Sequence, residues 1–147
     1  MNKILEIKNL SKTFHTKMGE IKAIDNVTFD VFDQEFICII GSSGCGKSTL
    51  LNILANLDNY TNGNIIKKDN LKIGYMLQED ALLPWLTILD NALLGLEIKK
   101  IKTKENVEYV KKLLEKYGLN GFLEKYPHQL SGGMRQRVAL IRTLAIK

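Results

Sequence analysis

A run of glycines and serines with one lysine, at residues 41–49, has the residue types and spacing of a loop that binds phosphate groups. Gly41, then four residues, then Gly46, Lys47 and Ser48 fit the phosphate-loop pattern at every fixed position. In such a loop the amide N–H groups turn inward, and glycines let an anion approach the backbone closely. Lys47 can reach the β- and γ-phosphates, and Ser48 can offer its hydroxyl to Mg²⁺, so the stretch predicts binding of ATP or GTP. The residues of the predicted loop are Gly41, Ser42, Ser43, Gly44, Cys45, Gly46, Lys47, Ser48 and Thr49.

The segments beside this loop have the patterns of a strand and a helix. The apolar residues 36–40 predict a strand buried on both faces of a parallel sheet. A helix is predicted from Lys47 to about Leu57, and its N-terminus adds about half a positive charge beside the phosphates. Strand, loop and helix in this order are the context that a phosphate loop requires.

Alternating apolar and polar residues predict further strands. Leu5 and Ile7 alternate with charged residues, and residues 27–31 alternate in the same way. This period of two predicts that the N-terminal segment forms paired strands. Alternation over residues 71–77 predicts another strand, which ends at Gln78.

Two residues of the N-terminal half have more than one possible role. Phe14 is placed in a loop after the first strand and is interpreted from the pattern as a packing residue, with stacking on adenine as the alternative. Gln78, at a strand end, is interpreted as an ordinary surface residue, with coordination of Mg²⁺ or of a water as the alternative. The pattern of residues alone therefore favours a structural role for Phe14 and a surface role for Gln78.

The region after Gln78 predicts helices and an apolar connection. Residues 81–88 are unusually apolar for a connection that contains proline, which indicates either a contact surface or burial in the chain's own core. One helix is predicted at residues 90–98, and another from the N-cap Thr103 up to Gly118. The helical spacing of their apolar residues indicates core packing.

A serine followed by two glycines begins the last predicted helix. Ser131 is a suitable N-cap, so this helix would present a second anion-binding N-terminus in one short chain. The pattern is weak alone and becomes informative beside the phosphate loop. Its residues are Leu130, Ser131, Gly132, Gly133 and Met134.

Length and composition limit the class of protein. The 147 residues suffice for one domain, and 45% hydrophobic with 25% charged residues is typical of a soluble globular protein. No apolar run approaches the roughly 18 residues of a membrane-spanning helix, and the N-terminus lacks a signal-peptide core, so a cytoplasmic location is expected. The net charge of +5 permits an acidic partner. The lysine-rich residues 99–104 have no interleaved aromatics and are interpreted as a solvated helix end, with a nucleic-acid or lipid-headgroup patch as the alternative.

The two cysteines do not have the spacing or context of a disulfide or a metal site. Cys38, in the predicted strand, is expected to be a small buried hydrophobic residue. Cys45 is interpreted as a variable loop position, with redox control through a thiolate at a helix N-terminus as the alternative.

Together these motifs resemble those of the ATP-binding subunits of ABC transporters. The resemblance runs from about Leu5 to the last residue, and residues 130–134 are similar to the signature motif, with Met134 where glutamine is most usual. Residues 82–87 and 130–134 look most like those of importers of the nitrate, sulfonate or taurine type. The resemblance implies an α/β P-loop NTPase fold of the ABC type. That fold is expected to be incomplete here, with antiparallel strands, a parallel core strand and a helical subdomain.

The resemblance also implies roles for the candidate residues. Phe14 would stack on adenine, and residues 41–49 would hold the phosphates of ATP. Ser48 and Gln78 would touch Mg²⁺, and Gln78 would link the site to the membrane partner. Residues 131–133 would contact the γ-phosphate of ATP held by a second subunit.

The implied partners follow from these roles. They are a second ATP-binding subunit, transmembrane permease subunits at the inner face of the cell membrane, and a solute-binding protein, while no nucleic acid is expected. The implied division is a nucleotide-binding core at about residues 1–78, a helical subdomain at about 79–130 and the signature helix at 131–147.

The chain departs from the family pattern after the signature helix. Family members continue into a strand ending in Asp-Glu and to a later switch histidine, and residues 145–147 precede all of these, while His128 does not match the switch position. No catalytic residue is therefore assigned. Residues 1–147 alone are expected to hydrolyse ATP negligibly, and an unpaired apolar edge at residues 36–40 is expected to favour aggregation. A non-catalytic fragment of an interrupted gene, or a soluble ABC-type ATPase acting on DNA or ribosomes, are the alternatives.

Overall fold

The chain divides into two units, Met1–Ile73 and Gly74–Lys147, in a computed structural model that describes residues 2–146. The first unit contains the strands and one helix, and the second contains three helices and two short 3-10 turns. None of the helices between residues 2 and 146 has the length and apolar character needed to cross a membrane. The division at about residue 78 and the separate signature helix stay predictions.

The first unit is built on an antiparallel sheet with β1 in its centre. Its strands are β1 (Lys3–Thr16), β2 (Gly19–Phe32) and β3 (Asn62–Lys67). Ile7 of β1 pairs with Phe29 of β2 and with Ile65 of β3, and it is fully buried. The paired strands predicted from the period of two are confirmed, whereas β3 was missed because it begins within the cluster of turn-forming residues 58–64.

Helix α1 (Lys47–Leu54) packs its apolar face against this sheet. The core of the unit consists of Leu5, Ile7, Leu10, Ile24, Leu50 and Ile53. The helix ends about three residues before the predicted position. Asn56 adopts a left-handed backbone conformation with φ of 60°, and Lys67 Nζ donates to the Leu54 carbonyl oxygen at 2.9 Å, which satisfies a helix-end acceptor.

Residues 36–40 and 71–78, which were both predicted as strands, do not form strands. No strand among residues 2–146 pairs with either segment, and a strand needs a neighbour to satisfy its main-chain groups. Phe36 and Ile40 are accordingly 93% and 88% exposed. The predictions of a parallel core strand here and of a buried Cys38 were therefore wrong, since Cys38 is exposed.

Three helices surround the core of the second unit, and all three predicted helices are confirmed. They are α2 (Ile88–Ile98), α3 (Lys104–Lys116) and α4 (Gly132–Leu144), with 3-10 turns at Asn120–Phe122 and Pro127–Gln129. Leu96, Leu114 and Ile141, one from each helix, are fully buried in one cluster. Thr103 caps α3 as predicted, because its hydroxyl oxygen accepts a hydrogen bond from the Asn106 N–H at 3.2 Å.

Candidate functional site

The ammonium group of Lys47 is the cation of the predicted phosphate loop. Its Nζ donates to the carbonyl oxygens of Gly41 at 2.8 Å and Ser42 at 2.6 Å, and it lies 3.3 Å from Sγ of Cys45. Lys47 is also the first residue of α1, so its charge adds to that of the helix N-terminus. Main-chain carbonyls can give up an ammonium group to a charged acceptor that binds it more strongly. The arrangement therefore suits a phosphate-bearing ligand.

Two glycines shape the loop before α1. Gly44 and Gly46 have φ of 80° and 92°, a region that other residues rarely adopt. A Cβ atom at residue 46 would also collide with the carbonyl oxygen of Ala23. Gly46 is the N-cap of α1 and supplies no side-chain hydrogen bond, so no capping side chain stands between an anion and the first amides of the helix.

A cavity of about 610 Å³ opens beside this loop in the first unit. Apolar side chains of β2 and of residues 37–40 line most of it, and Cys45, Gly46 and Lys47 form one edge. Residues 36–40 have no strand partner among the described residues, so their side chains line a cavity where a packed core was predicted. Only the edge at Lys47 has the chemistry of a phosphate site.

Phe14 lies within β1 and not in the connecting loop where the sequence placed it. It pairs with Ile21 of β2, and the residue is 38% exposed. Lys12 Nζ lies 4.7 Å from the centre of the ring and 2.7 Å from the Asp58 carboxylate. The ammonium group of Lys12 therefore makes a cation–π contact with one face of the Phe14 ring. The Phe14 ring is therefore held by a strand and remains partly accessible.

Helix α4 holds the segment that follows Gln78 in the second unit. Gln136 Nε2 donates to the Gln78 carbonyl oxygen at 3.1 Å. The two terminal nitrogens of Arg142 donate to the carbonyl oxygens of Ala81 and Asp80, each at 2.8 Å. The main chain on both sides of Glu79 is thus bonded to the helix that begins with the signature-like motif.

The carboxylate of Asp80 anchors the same segment. It accepts hydrogen bonds from Arg135 Nε at 2.8 Å and from the Leu82 N–H at 3.2 Å. Burial, the largest single influence, acts to raise the pKa of Asp80, but the net shift is downward. The hydrogen bonds from Arg135 and Leu82, and the charges of Arg135 and Arg142, outweigh burial, and the pKa lies below its ordinary value of 3.8. Sequence reasoning missed this ion pair, because nothing local connects residues 80 and 135.

We expect Asp80→Asn to lower the free energy of unfolding by about 1 kcal/mol at neutral pH, because a partly exposed charged hydrogen bond is lost. The pKa of Asp80 is lowered in the folded state, so its contribution is complete above the ordinary value and is lost as the pH falls through 3.8 and below. The difference in urea midpoint between wild type and variant should therefore shrink at low pH. Exposed Asp69 supplies the control Asp69→Asn, which should leave the urea midpoint at neutral pH nearly unchanged. A difference that stays constant down to about pH 2 would contradict the assignment.

Ser131 begins helix α4, as predicted. Its Oγ accepts a hydrogen bond from the Met134 N–H at 3.4 Å, and the two glycines after it are exposed. Arg135 Nη1 donates to the Leu130 carbonyl oxygen at 2.9 Å. The arginine that binds Asp80 therefore also fixes the residue before the serine, and the N-terminus of the helix is open to a ligand.

Asn91 is a buried polar residue that sequence reasoning missed. Its Oδ1 accepts a hydrogen bond from the Leu83 N–H at 2.8 Å. Its Nδ2 donates to the carbonyl oxygens of Leu83 at 3.0 Å, Leu86 at 3.1 Å and Thr87 at 3.0 Å. The side chain is fully buried, so this amide fixes the shape of the proline-containing connection. An amide on the apolar face of a predicted helix was the available signal.

The apolar connection at residues 81–88 divides between core and surface. Leu82 and Ile88 are buried in the core of the second unit, while Trp85 is 70% exposed. Burial in the chain's own core therefore holds for part of this stretch, and a contact surface at the exposed part stays a prediction. The exposed indole belongs to a loop that the Asn91 amide holds in place.

The comparisons with known proteins agree with these motifs. The ABC transporter family model matches residues 24–147. An uncharacterised ABC transporter ATP-binding protein of Methanocaldococcus jannaschii is 44% identical over 96% of this chain and 55% of its own length. The aliphatic sulfonates import ATP-binding protein of Bacillus cereus is 41% identical over 95% of this chain and 57% of its own length. Nitrate and taurine import ATP-binding proteins, from Synechocystis and Rhizobium johnstonii, are 39% and 38% identical.

A solved structure has the same fold. It is a dimeric ATP-binding cassette in a post-hydrolysis state with ADP and Pi, 35% identical, with a TM-score of 0.80 over 97% of this chain and 69% of the other. The chain spans little more than half the length of the curated relatives that it matches. These relatives do not favour an interrupted gene fragment or an ATPase acting on DNA or ribosomes.

The resemblance predicted from residues 41–49 and 130–134 is therefore confirmed, including its importer group. The family model covers most of the chain, and the solved cassette shares its fold at 35% identity. This chain belongs to the ABC transporter family, in which it represents part of an ATP-binding domain.

Proposed function

We propose that this chain binds ATP with Mg²⁺ and that the protein to which it belongs couples ATP hydrolysis to solute import. The observation that carries the proposal is the loop of residues 41–49, where Lys47 and the N-terminus of α1 bring positive charge to a glycine-lined backbone. The solved relative with ADP and Pi supports the ligand class. The relatives that import sulfonates, nitrate and taurine support import of a small solute.

Each candidate residue has a role in this proposal. The amides and side chains of residues 41–49 bind the phosphates, and the Ser48 hydroxyl and the Gln78 amide contact Mg²⁺. Phe14 stacks on the adenine ring through its accessible surface. Bound Mg²⁺ would neutralise charge on the phosphates, while the chain's own residues position them.

The signature-like residues 130–134 act on a second copy in this proposal. Ser131 and the glycines after it present an open helix N-terminus, which suits a phosphate group held by a partner subunit. The dimeric state of the solved cassette supports this arrangement. Permease subunits at the inner face of the membrane and a solute-binding protein complete the proposed assembly.

We expect residues 1–147 to bind ATP but to release phosphate at a negligible rate. No aspartate or glutamate follows the signature-like motif in these residues, so they supply no carboxylate there to orient water or support Mg²⁺. The test measures ATP binding by titration with a fluorescent analogue, with ATP and ADP as competitors, and phosphate release in the same samples. Binding without turnover is the expected result. Turnover typical of an intact transporter ATPase would overturn the expectation of inactivity, and absence of any competition by ATP would overturn the proposed function.

A further inference from the structure

The connection between α2 and α3 is a strongly basic surface. Residues 97–105, here named the basic connection, are nine consecutive exposed residues. They contain four lysines against two glutamates. The lysines of this segment are Lys99, Lys100, Lys102 and Lys104.

Most of these ammonium groups lack an anionic partner. Lys102 lies 3.8 Å from Glu97, at the long limit of an ion pair and on the surface, where such pairs contribute little. Within residues 2–146, the other three lysines form no ion pair. Lys104 begins α3, where a cation is unfavourable beside the positive helix N-terminus. An anionic partner would relieve this repulsion.

Two isoleucines stand among the lysines and are also exposed. Ile98 is 72% exposed and Ile101 is 39% exposed, although the second unit has a closed apolar core next to them. Ile101 has a lysine on both sides, and Ile98 lies between Glu97 and Lys99. Exposed apolar side chains beside lysines are typical of segments that lie at the interface of a membrane. The lysine stems and the isoleucines can then share the boundary between headgroups and acyl chains.

The main chain holds this surface in a defined shape. The N–H groups of Lys100 and Ile101 donate to the carbonyl oxygens of Glu97 and Leu96, both at 2.9 Å. The Asn106 side chain donates to the Ile101 carbonyl oxygen at 2.7 Å. Both the N–H and the carbonyl oxygen of Ile101 are thus hydrogen-bonded. Binding a partner would therefore cost little conformational entropy of the main chain here.

We propose that the basic connection binds the surface of a bilayer that contains anionic lipids, with Ile98 and Ile101 entering the interfacial layer. Nucleic acid is the less suitable ligand, because residues 97–105 contain no arginine and no aromatic side chain to contact bases. The proposal does not depend on nucleotide binding. It adds a direct lipid contact at the helical unit to any contact made through permease subunits.

The experiment is co-sedimentation of the full 147-residue chain with vesicles of phosphatidylcholine alone, and with about 30% phosphatidylglycerol added, at roughly 0.1 M salt. The test variant is K99Q/K100Q/K102Q/K104Q. The matched control is K17Q/K68Q/K72Q/K112Q, which removes the same charge from four exposed lysines elsewhere. Each lysine at a charged membrane surface contributes about fivefold to partitioning. We therefore expect at least a tenfold loss for the test variant and a clearly smaller loss for the control.

A second variant, I98S/I101S, tests the apolar part and should lower partitioning into the anionic vesicles severalfold at unchanged net charge. Circular dichroism of each variant shows whether its helices are intact. Equal losses in the test and control variants, or no binding to anionic vesicles, would overturn the proposal. So would binding of short single-stranded DNA that is lost only in the test variant while vesicle binding persists.

Discussion

Lys47→Ala is expected to lower the affinity of the chain for ATP roughly a hundredfold, since a charged hydrogen bond to phosphate contributes about 1.5–3 kcal/mol. In the structure the Lys47 ammonium group is bound by two main-chain carbonyl oxygens and lies next to the Cys45 thiol. The alanine side chain carries no charge, so the variant loses the cation at the N-terminus of α1. Titration with a fluorescent ATP analogue, at constant ionic strength, measures the change.

Two further variants make this result specific. Lys47→Arg keeps the charge but changes its geometry, so it should bind ATP more weakly than wild type and more tightly than the alanine variant. Lys68→Ala removes an exposed lysine elsewhere in the first unit and should leave affinity unchanged within about twofold. An alanine variant that binds ATP as tightly as Lys68→Ala would contradict a role for Lys47 in binding phosphate.

The phosphate loop could be predicted because its information is local. The spacing of Gly41, Gly46 and Lys47 specifies a backbone path, and the positive φ of Gly46 and its close approach to Ala23 are consistent with that path. The capping residues Thr103 and Ser131 were predictable for the same reason, since a cap bonds to an amide three residues away. Helices and loops whose contacts are short in sequence were therefore predicted well.

Residues 36–40 show where local patterns fail. An apolar run of this length is typical of a buried strand, but strand formation depends on a neighbour that is distant in sequence. Without a pairing strand among residues 2–146, the run forms no regular secondary structure and is exposed. Phe14 was placed wrongly for a related reason, because the long pairing of β1 with β2 extends the strand past the residue where the alternation fades.

The interactions of the second unit could not be predicted from spacing. Asp80 and Arg135 come together only because α4 packs beside the segment after Gln78. Their ion pair ties the segment that carries Gln78 to the helix that carries Ser131. The segment with Gln78 and the signature-like motif at Ser131, which were recognised separately in the sequence, are thus both held by helix α4.

Asn91→Leu is expected to lower the free energy of unfolding by about 3 kcal/mol, because a buried amide that holds the connection before α2 is removed. The substitution removes four hydrogen bonds from a fully buried amide. Leu83 O and Thr87 O keep a main-chain partner each, but the Leu83 N–H and the Leu86 carbonyl lose the bonds that Asn91 gives them. Leu83 and Leu86 are half buried, and each of these two polar groups left without a partner costs about 1–3 kcal/mol.

Urea unfolding followed by circular dichroism measures the loss, and the single tryptophan reports its cause. Trp85 lies in the connection that Asn91 holds, so its fluorescence anisotropy should fall in Asn91→Leu before the helices unfold. The matched control is Asn106→Leu, which removes the Asn106 side-chain bond to the Ile101 carbonyl and should cost about 1 kcal/mol or less. Equal stability losses in the two variants, with unchanged Trp85 anisotropy, would show that the buried amide does not hold the connection. A large loss confined to Asn91→Leu would mean that the exposed position of Trp85 depends on one polar group inside an apolar core.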